Sequence, residues 1–503
     1  MKPELQEKAV LAMYDVRGIQ SYIFKSNAAK EIIGASVIVA NVIMDGLNAY
    51  VRKNIAETVK ENYMTDWEND NEHAFLENRE IQMQVLFIGG GNAYVLFRNG
   101  AECEKVNRFL AKYIMEQTYS LNLAVAVVEK TDSYNFDYEA INKEMRRVKA
   151  NMPSSQPIGA MPFMEADPIT GYPITKVEKG KYFCTEAVLK RNAFPKQESE
   201  KVFDNMVTEK GDNSTLAVCH IDGNSMGDSI RHIMQKINGY ENAVPAMRNI
   251  SKEIADTFRN NFDKMAKYMD ELTPQVKMAD GKKLYREIIV AGDDITFVCN
   301  AKLAVPAVRY FLEHIGDEKD YSACGGIAFF NSHFPFSDAY KVAEACCVSA
   351  KTRAKEESHR GKVEENTSKG KIGNFFDFQF CTHISVAHLE AYREKHYAVN
   401  GQLFLARPYY VPLREDQAEL NIRNRGFSVE KFEEWSEVFQ SLPRNKAKLL
   451  RNAISKGENS RQETVTFLKS RGYTQFEKEE YAVWYDVLEM MDLYIGEGKE
   501  HEN

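Results

Sequence analysis

The sequence has eight cysteines but no C-x-x-C pair. Cys219, Cys299 and Cys324 lie within apolar runs, where cysteine behaves as a small core residue, so neither a zinc site nor a disulfide framework is expected. Positive charge is not in excess either, because the formal net charge is −8. This balance argues against a protein whose main task is to coat long nucleic acid, although it is compatible with a local basic groove.

Long apolar runs are also missing. The longest charge-free apolar run near the N-terminus, Ile32 to Met44, has 13 residues. It is too short to cross a bilayer, and we interpret it as a buried helix. Charged residues occupy the first positions of the chain, where a secretory signal would have its apolar core. We therefore expect a cytoplasmic protein with no membrane partner.

The chain contains one pattern twice, about 200 residues apart. An apolar run ends in Asp15 in the first copy and in Asp222 in the second. Each run leads through a helical region to a predicted hairpin. These hairpins are "MQVLFIGGGNAYVLFRN" (83–99) and "REIIVAGDDITFVCNA" (286–301).

The two copies also agree in spacing. Asn92 follows the aspartate of the first copy by 77 residues, and Asp294 follows that of the second by 72. A third strand and an amphipathic helix come next, and the helix ends near Lys149 in one copy and near Lys351 in the other. Two unrelated domains would rarely agree so well, so we interpret the pattern as a duplicated domain.

The order strand, helices, hairpin, helix, strand, helix predicts an α+β fold, with an antiparallel or mixed sheet that carries helices on one face. Six of the 14 prolines lie in the segment between the copies, which indicates a connector. A mixed-charge stretch at 351–374 is predicted to be a polar loop, and apolar residues recur at helical spacing after it. The predicted parts are a first domain (1–150), a connector or small insert (151–210), a second domain (211–375) and a C-terminal α-helical domain (376–503).

Three carboxylates of the second copy form the main candidate site. If the strand that ends at Asp222 pairs with the hairpin, Asp293 and Asp294 face it. Carboxylates so close together repel one another unless a divalent cation neutralises them. Mg²⁺ prefers oxygen ligands and is typically held by one or two carboxylates and substrate phosphates, so the pattern predicts a two-metal nucleotidyl-transfer site.

Glycines and a lysine fit the same interpretation. Gly223, Gly227 and Gly292 would let the backbone approach phosphate oxygens and offer its N–H groups. Lys351 would reach the β- or γ-phosphate as a point charge. The structural alternatives are a solvated Asp-Asp turn and a surface lysine that ends an amphipathic helix. We interpret His220 as a packed side chain on the strand face opposite to Asp222.

The first copy lacks this chemistry, because Gly91 and Asn92 stand where the second copy has its two hairpin aspartates. These residues carry no negative charge for a cation, but they offer N–H groups and an amide. Two interpretations stay open. The segment "FIGGGN" binds the phosphates or ribose of a nucleotide, or it packs tightly against the second copy.

Several motifs together resemble the Cas10 family of type III CRISPR systems, with its Cmr2 and Csm1 branches. "DVRGIQSYIF" and "KEIIGAS" are similar to the start of the family's first palm domain, and "GGGN" (89–92) is similar to its degenerate hairpin. "HIDGNSMG" and "AGDD" resemble the D-x-D-x-M-G and G-G-D-D segments of its catalytic palm, and "YKVAEACCVSAK" (340–351) resembles its A-E-x-x-x-x-x-A-K helix. The resemblance covers roughly residues 9–375.

The resemblance implies two ferredoxin-like palm domains of the polymerase and nucleotidyl cyclase type, followed by a helical domain. It implies an enzyme of antiviral signalling that joins ATP 3′ to 5′ into cyclic oligoadenylate second messengers with Mg²⁺ or Mn²⁺. The implied metal ligands and catalytic residues are Asp222, Asp293 and Asp294. The implied nucleotide-binding residues are Gly223, Asn224, Met226, Gly227, Gly292, Lys351, Gly90, Gly91 and Asn92.

The sequence departs from the family pattern in three ways. Ala291 replaces the first glycine of G-G-D-D, which leaves full activity open. No HD nuclease domain precedes the first copy and no adjacent His-Asp pair occurs, so cleavage of single-stranded DNA is not expected. The connector has one cysteine, Cys184, where family members often carry a four-cysteine zinc site.

Three functions therefore stay open. The first is a synthase of cyclic oligoadenylate. The second is a nucleotidyl cyclase with another product, a cyclic mononucleotide or dinucleotide, although the isoleucine after Asp294 differs from the G-G-D/E-E-F of diguanylate cyclases. The third is a non-catalytic nucleotide-binding scaffold. Partners implied by the resemblance are CRISPR effector subunits with guide and target RNA, and the sequence also leaves a homo-oligomer open.

Overall fold

The computed structural model divides the chain into two compact units. The first comprises Met1–Glu200 and Ser225–Asp256, and the second comprises Lys201–Asn224 and Thr257–Asn503. The residues that the structure describes are 3–89, 91–152, 159–197, 202–208, 214–276, 279, 281–317, 319–365, 372–381, 388–412, 418–476 and 480–495.

The structure is a mixture of strands and helices, as the sequence predicts. The strands are β1 (Val10–Arg17), β2 (Tyr63–Met64), β3 (Met83–Gly89), β4 (Asn92–Phe97), β5 (Asn122–Glu129), β6 (Ile174–Glu178), β7 (Lys181–Cys184), β8 (Thr215–Gly223), β9 (Tyr285–Ala291), β10 (Asp294–Asn300), β11 (Ala323–Asn331), β12 (Asn374–Cys381), β13 (Ala398–Val399), β14 (Gln402–Leu403) and β15 (Tyr409–Val411). The helices are α1 (Ile19–Ile23), α2 (Ala29–Asn54), α3 (Ala74–Glu77), α4 (Gly100–Thr118), α5 (Tyr134–Asn151), α6 (Thr185–Ala193), α7 (Val202–Met206), α8 (Met226–Met234), α9 (Tyr240–Leu272), α10 (Ala301–His314), α11 (Phe336–Glu365), α12 (Leu389–His396), α13 (Ala418–Asn424), α14 (Val429–Gln440), α15 (Arg444–Ile454), α16 (Glu458–Ser470) and α17 (Tyr481–Met490).

Each unit contains a sheet, and the two sheets share part of their strand order. The sheet of the first unit has the order β2-β3-β4-β1-β5, and that of the second unit has the order β15-β12-β11-β8-β10-β9. In both, the strand that precedes the helices (β1 or β8) lies between the hairpin and the third strand, antiparallel to its neighbours. The repeat that the sequence shows is therefore also a repeat of sheet order.

The helix after each hairpin begins in the same way in both units. Asn99 caps α4 by accepting a hydrogen bond from the backbone N–H of Glu102, and Asn300 caps α10 by accepting one from Lys302. Asparagine is among the preferred N-cap residues because its side chain satisfies an N–H group that the first helical turn leaves unpaired. The same residue type therefore caps the helix that follows the hairpin in each copy.

Two features of the second unit differ from the sequence-based expectation. Residue 376, where a helical domain was expected to begin, lies inside β12, which pairs in parallel with β11. The stretch 351–374 was expected to be a polar loop, but α11 continues through Glu365. Its mixed charges pair at helical spacing, since the buried Glu357 is 3.1 Å from both Arg353 and Arg360.

Helix α2 matches the interpretation of the N-terminal apolar run as a buried helix. Its 26 residues are long and apolar enough to cross a membrane by length and composition, with a mean hydropathy of 1.6. Half of that apolar window is buried within the chain, where α2 packs against α4 and α6 of its own unit. Core helices have the same composition, so this one helix is weak evidence for a membrane span.

Candidate active site

Strand pairing in the second sheet brings two of the predicted carboxylates together. Asp294, the first residue of β10, lies directly opposite Asp222 near the end of β8. On its other side, β8 pairs with β11, where Cys324 lies opposite Asp222. The strand end that carries Asp222 is therefore central in the sheet, and directly opposed residues have their Cβ atoms only about 5 Å apart.

A two-residue turn holds the third carboxylate. Ala291 pairs with Asp294, so Gly292 and Asp293 form the turn, and Gly292 has φ +61°. A positive φ at the first central residue is the property of the type II′ hairpin turn, which favours glycine there. Ala291 ends β9 without disturbing this turn. Burial, together with the negative charge of Asp222, raises the pKa of Asp293 to about 6.

Lys351 of α11 reaches the same strand end. Its ammonium donates hydrogen bonds to Asp222 Oδ2 at 2.5 Å and to the backbone oxygen of Gly223 at 2.9 Å. Burial alone would lower the pKa of Lys351, but the charge of Asp222 and the hydrogen bond to it raise that pKa above its ordinary value. The lysine predicted to bind phosphate therefore neutralises a predicted metal ligand in this structure.

Close packing of α11 on the sheet places this lysine. Gly326 of β11 lies so near the helix that an added Cβ would be 2.0 Å from the backbone oxygen of Ala343 and 2.3 Å from the backbone nitrogen of Cys347. Cys347 also donates through its thiol to the backbone oxygen of Cys324 at 3.3 Å. Lys351 lies one helical turn after Cys347 and so reaches the end of β8.

The backbone N–H groups of Gly223 and Asn224 have hydrogen-bond partners within the chain in this structure, and their predicted role at a nucleotide stays a prediction. Gly223 donates to the backbone oxygen of Asp293 at 3.2 Å, and Asn224 donates to that of Ser322 at 2.8 Å. The side-chain amide of Asn224 donates to Ser322 Oγ at 3.1 Å. These bonds close the loop after β8 against its neighbouring elements.

Met226 and Gly227 begin α8 and belong to the first unit. The preceding Ser225 adopts a left-handed conformation with φ 56°. A methyl group on Gly227 would have no atom within 4 Å. Packing therefore does not explain the glycine at this position, and its predicted role at a nucleotide stays a prediction.

His220 lies on the same strand face as Asp222, so the interpretation that placed it on the opposite face is wrong. Residues two apart on a strand share a face, and this periodicity would have found it. His220 Nδ1 is 3.1 Å from Thr296 Oγ1 and 3.5 Å from Asp294 Oδ1. Burial lowers the pKa of His220, which favours the neutral imidazole beside the carboxylates.

The first unit repeats part of this arrangement with other residues. Asp15 of β1 lies opposite Asn92 of β4, and the ammonium of Lys149 donates to Asp15 Oδ2. Gly91 lies in the hairpin turn, and Gly90 is outside the described residues. The strand-end aspartate and its lysine are thus present in both units. The sequence indicates both positions, but neither Asp15 nor Lys149 was expected to belong to a site.

The donor set of the second unit fits a hard divalent cation by chemistry. Asp222, Asp293 and Asp294 offer carboxylate oxygens, which Mg²⁺ and Mn²⁺ prefer. Within the part of the chain that the structure describes, no three His, Cys, Asp or Glu side chains are already grouped around a common metal position. The ammonium of Lys351 is bound to Oδ2 of Asp222, so a cation at that oxygen would compete with this lysine.

The raised pKa of Asp293 predicts a pH-dependent affinity for metal. Near pH 5, about one unit below that pKa, roughly one in ten Asp293 side chains is ionised, so Mn²⁺ should bind about tenfold more weakly than near pH 7.5. Titration calorimetry at the two pH values checks this. The weaker binding of Asp293→Asn should not change with pH in this range. Equal affinity of the unmodified chain at both pH values would contradict the role of Asp293.

No family model matches the sequence, and no curated protein matches it. Solved structures of Csm1–Csm4 assemblies are similar over most of the chain. The Csm1–Csm4 cassette in complex with cA4 has 12% identity and a TM-score of 0.47, over 97% of this chain and 70% of that chain. The cassette in complex with one ATP has 12% identity and a TM-score of 0.46, over 97% and 70%. The subcomplex in the type III-A CRISPR-Csm interference complex has 13% identity and a TM-score of 0.46, over 98% and 71%. At these values no residue role, ligand or activity transfers to this chain.

Proposed function

We propose that the chain is a metal-dependent nucleotidyltransferase that joins ATP 3′ to 5′ into cyclic oligoadenylate. The observation that carries this proposal is the pairing of Asp222 with Asp294 across β8 and β10, with Asp293 in the adjoining turn. Three carboxylates and one lysine at a single strand end are the groups that phosphoryl transfer needs. ATP and the cyclic product come from the motif resemblance to the Cas10 family.

The reaction forms one bond and breaks another. The 3′-oxygen of one ATP attacks the α-phosphorus of a second, pyrophosphate leaves with the bridging oxygen, and the hydroxyl proton passes to solvent. A divalent cation at the carboxylates would activate the hydroxyl and stabilise the leaving pyrophosphate. Asp222, Asp293 and Asp294 would hold that cation in place. The ring would close when the 3′-oxygen of the linear oligomer attacks its own 5′ α-phosphorus, with a further pyrophosphate leaving and the hydroxyl proton passing to solvent.

Lys351 has two alternative partners in this proposal. In this structure it binds Asp222, and with nucleotide it would turn to the triphosphate as a mobile point charge. The side chains of Lys351 and Asp222 are 21% and 37% exposed. Solvent therefore still screens the pair, and its energy is modest, about 1 kcal/mol. The pair is therefore weak enough for a polyphosphate and a cation to displace it.

Incubation of the chain with labelled ATP and Mg²⁺ or Mn²⁺, followed by mass analysis, tests the proposal. Cyclic oligoadenylate with release of pyrophosphate is the expected result. If the product were a cyclic mononucleotide or dinucleotide, the assignment of the product would be wrong but the nucleotidyl-transfer chemistry would be supported. Parallel reactions with guide and target RNA determine whether the chain needs an activator, and GTP as the better substrate would overturn the base assignment.

A non-catalytic nucleotide-binding scaffold is the second candidate. The observation that favours it is the ion pair between Lys351 and Asp222, which satisfies the strand-end carboxylate without a metal. Tight binding of ATP with no pyrophosphate release under any of these conditions would support the scaffold. Such a chain would act through partners, among which the resemblance implies subunits of an RNA-guided complex.

Replacement of Lys351 by methionine separates the two roles of this lysine. Without the competing ammonium, Asp222 is available to a cation, so Mn²⁺ should bind a few-fold more tightly in the absence of nucleotide. Loss of the phosphate contact should raise the KM for ATP roughly tenfold or more. Calorimetry with Mn²⁺ and steady-state kinetics measure the two effects. Unchanged metal affinity together with an unchanged KM would mean that Lys351 is structural only.

A further inference from the structure

The first unit carries a surface pocket that none of the chemistry above uses. It has a volume of about 270 Å³ and lies between the β6–β7 hairpin and α6. We call it the hairpin pocket. Its walls come from the connector that joins the two copies of the sequence repeat, and from the first turn of α2, which contributes Lys30.

One face of the hairpin forms one wall of the pocket. Lys176 pairs with Phe183, and Glu178 pairs with Lys181. Because alternate residues of a strand point to one face and paired residues share it, these four side chains line the same surface. All four lie at the pocket. The residues between them point to the other face, where the Tyr182 side chain is exposed.

The turn extends the charged face beyond the strands. Lys179 and Gly180 are its two central residues, with φ 51° and φ 76°. Two successive positive φ values are the property of the type I′ turn, whose twist matches that of the flanking strands. Lys179 is thereby held at the tip, and it too lines the pocket.

One face of α6 forms the opposite wall. Val188, Arg191 and Asn192 recur at helical spacing and line the pocket together. The Arg191 guanidinium lies over the Phe183 ring at 4.5 Å, and Arg191 also contacts Glu31 Oε1 at 3.3 Å. The planar guanidinium is thus oriented by a ring on one side and by a carboxylate at its edge.

The pocket is strongly positive although the chain is negative overall. Among the described residues, its lining has five cationic side chains and one carboxylate. Glu178 is 3.2 Å from Lys176, whereas Lys179 and Lys181 form no ion pair within 4 Å among the same residues. The hydrogen bond and charge of Lys176 lower the pKa of Glu178, and Lys179 and Arg191 add to this effect.

We propose that the hairpin pocket binds the phosphate groups of a single-stranded nucleic acid. Lysine ammonium groups neutralise phosphates as point charges, and the oriented guanidinium of Arg191 offers a fork that fits phosphate oxygens. The volume is near the lower limit for pockets that enclose small molecules, which are also mostly apolar. An open, cationic surface with one aromatic ring is instead typical of grooves that follow a nucleic acid backbone.

The test compares the full chain with charge-reversed variants by fluorescence anisotropy. The probe is a labelled oligouridylate of about 20 nucleotides at about 50 mM and about 200 mM salt. The variant is Lys179→Glu with Lys181→Glu, both exposed. The matched control is Lys112→Glu with Lys143→Glu, which reverses the same number of exposed charges elsewhere in the first unit. A second variant, Lys179→Arg with Lys181→Arg, keeps the charge.

The hairpin variant should bind RNA at least about tenfold more weakly at low salt. The slope of its log affinity against log salt concentration should be smaller by about 1.4, which is about 0.7 for each of the two lost phosphate contacts. The control and the arginine variant should change less than about twofold. A fluorescent ATP analogue distinguishes the phosphate source. If the hairpin variant weakens only ATP binding, the ligand is a free nucleotide. If hairpin and control variants bind RNA and ATP alike, the proposal is overturned.

Discussion

Asp294→Asn is expected to reduce pyrophosphate release from ATP at least about 100-fold. Asparagine keeps the shape of the side chain opposite Asp222 but removes the negative charge that a cation needs. Metal ions contribute several kcal/mol to transition-state stabilisation, and each 1.4 kcal/mol corresponds to a factor of about ten in rate. Steady-state assay of pyrophosphate with Mn²⁺ measures the change.

Asp263→Asn is the matched control for this variant. Asp263 lies on α9 in the second unit, its side chain is 57% exposed, and it is 4.0 Å from Arg259. The Asp263→Asn variant loses the same charge at a position that has no predicted role. Its rate of pyrophosphate release should therefore stay within about twofold of that of the unmodified chain. Full activity of a folded Asp294→Asn would remove the carboxylate from the chemistry and favour the scaffold function.

Gly326→Ala is expected to destabilise the second unit by about 3 kcal/mol. Its new Cβ would collide with the backbone of α11 at Ala343 and Cys347, and a helix backbone cannot rotate away as a side chain can. Overpacking of this kind typically costs about 1–3 kcal/mol. Because the same helix carries Lys351, the KM for ATP should rise as well. Thermal unfolding followed by calorimetry should show the transition of this unit shifted down by roughly 2–4 °C for each kcal/mol.

Gly426→Ala provides the comparison within the same unit. A methyl group there would have no atom within 4 Å, and Gly426 has no positive φ. Its unfolding midpoint should therefore stay unchanged or rise slightly, since alanine has fewer unfolded conformations to lose. If both glycine variants unfolded at the same temperature, the contact between β11 and α11 would not be the constraint that the distances indicate.

Much of the second sheet follows from the sequence because its signals are local and periodic. The apolar run before Asp222 and the turn residues around Gly292 predict a strand and a hairpin. Similar spacing in the two copies then predicts which elements correspond. The pairing of Asp222 with Asp294 also depends on the strand that ends at Asp222 being a direct neighbour of the hairpin. The structure shows this pairing.

The remaining features depend on contacts that periodicity does not record. The ion pairs of Lys149 and Lys351 join residues more than 100 positions apart, and they need the close approach of a helix to the sheet. The charged end of α11 looked like a loop because its polarity hides the pairs around Glu357. Strand β12 was missed because it begins next to that polar stretch and pairs with a strand far earlier in the chain.

Anomalous diffraction from crystals of the chain grown with Mn²⁺ and a non-hydrolysable ATP analogue is the most direct test of the metal site. The account predicts a peak about 2.1 Å from carboxylate oxygens of Asp222 and of at least one hairpin aspartate, with Lys351 turned from Asp222 to the triphosphate. Nucleotide bound without any metal peak at these residues, and Lys351 still on Asp222, would contradict it.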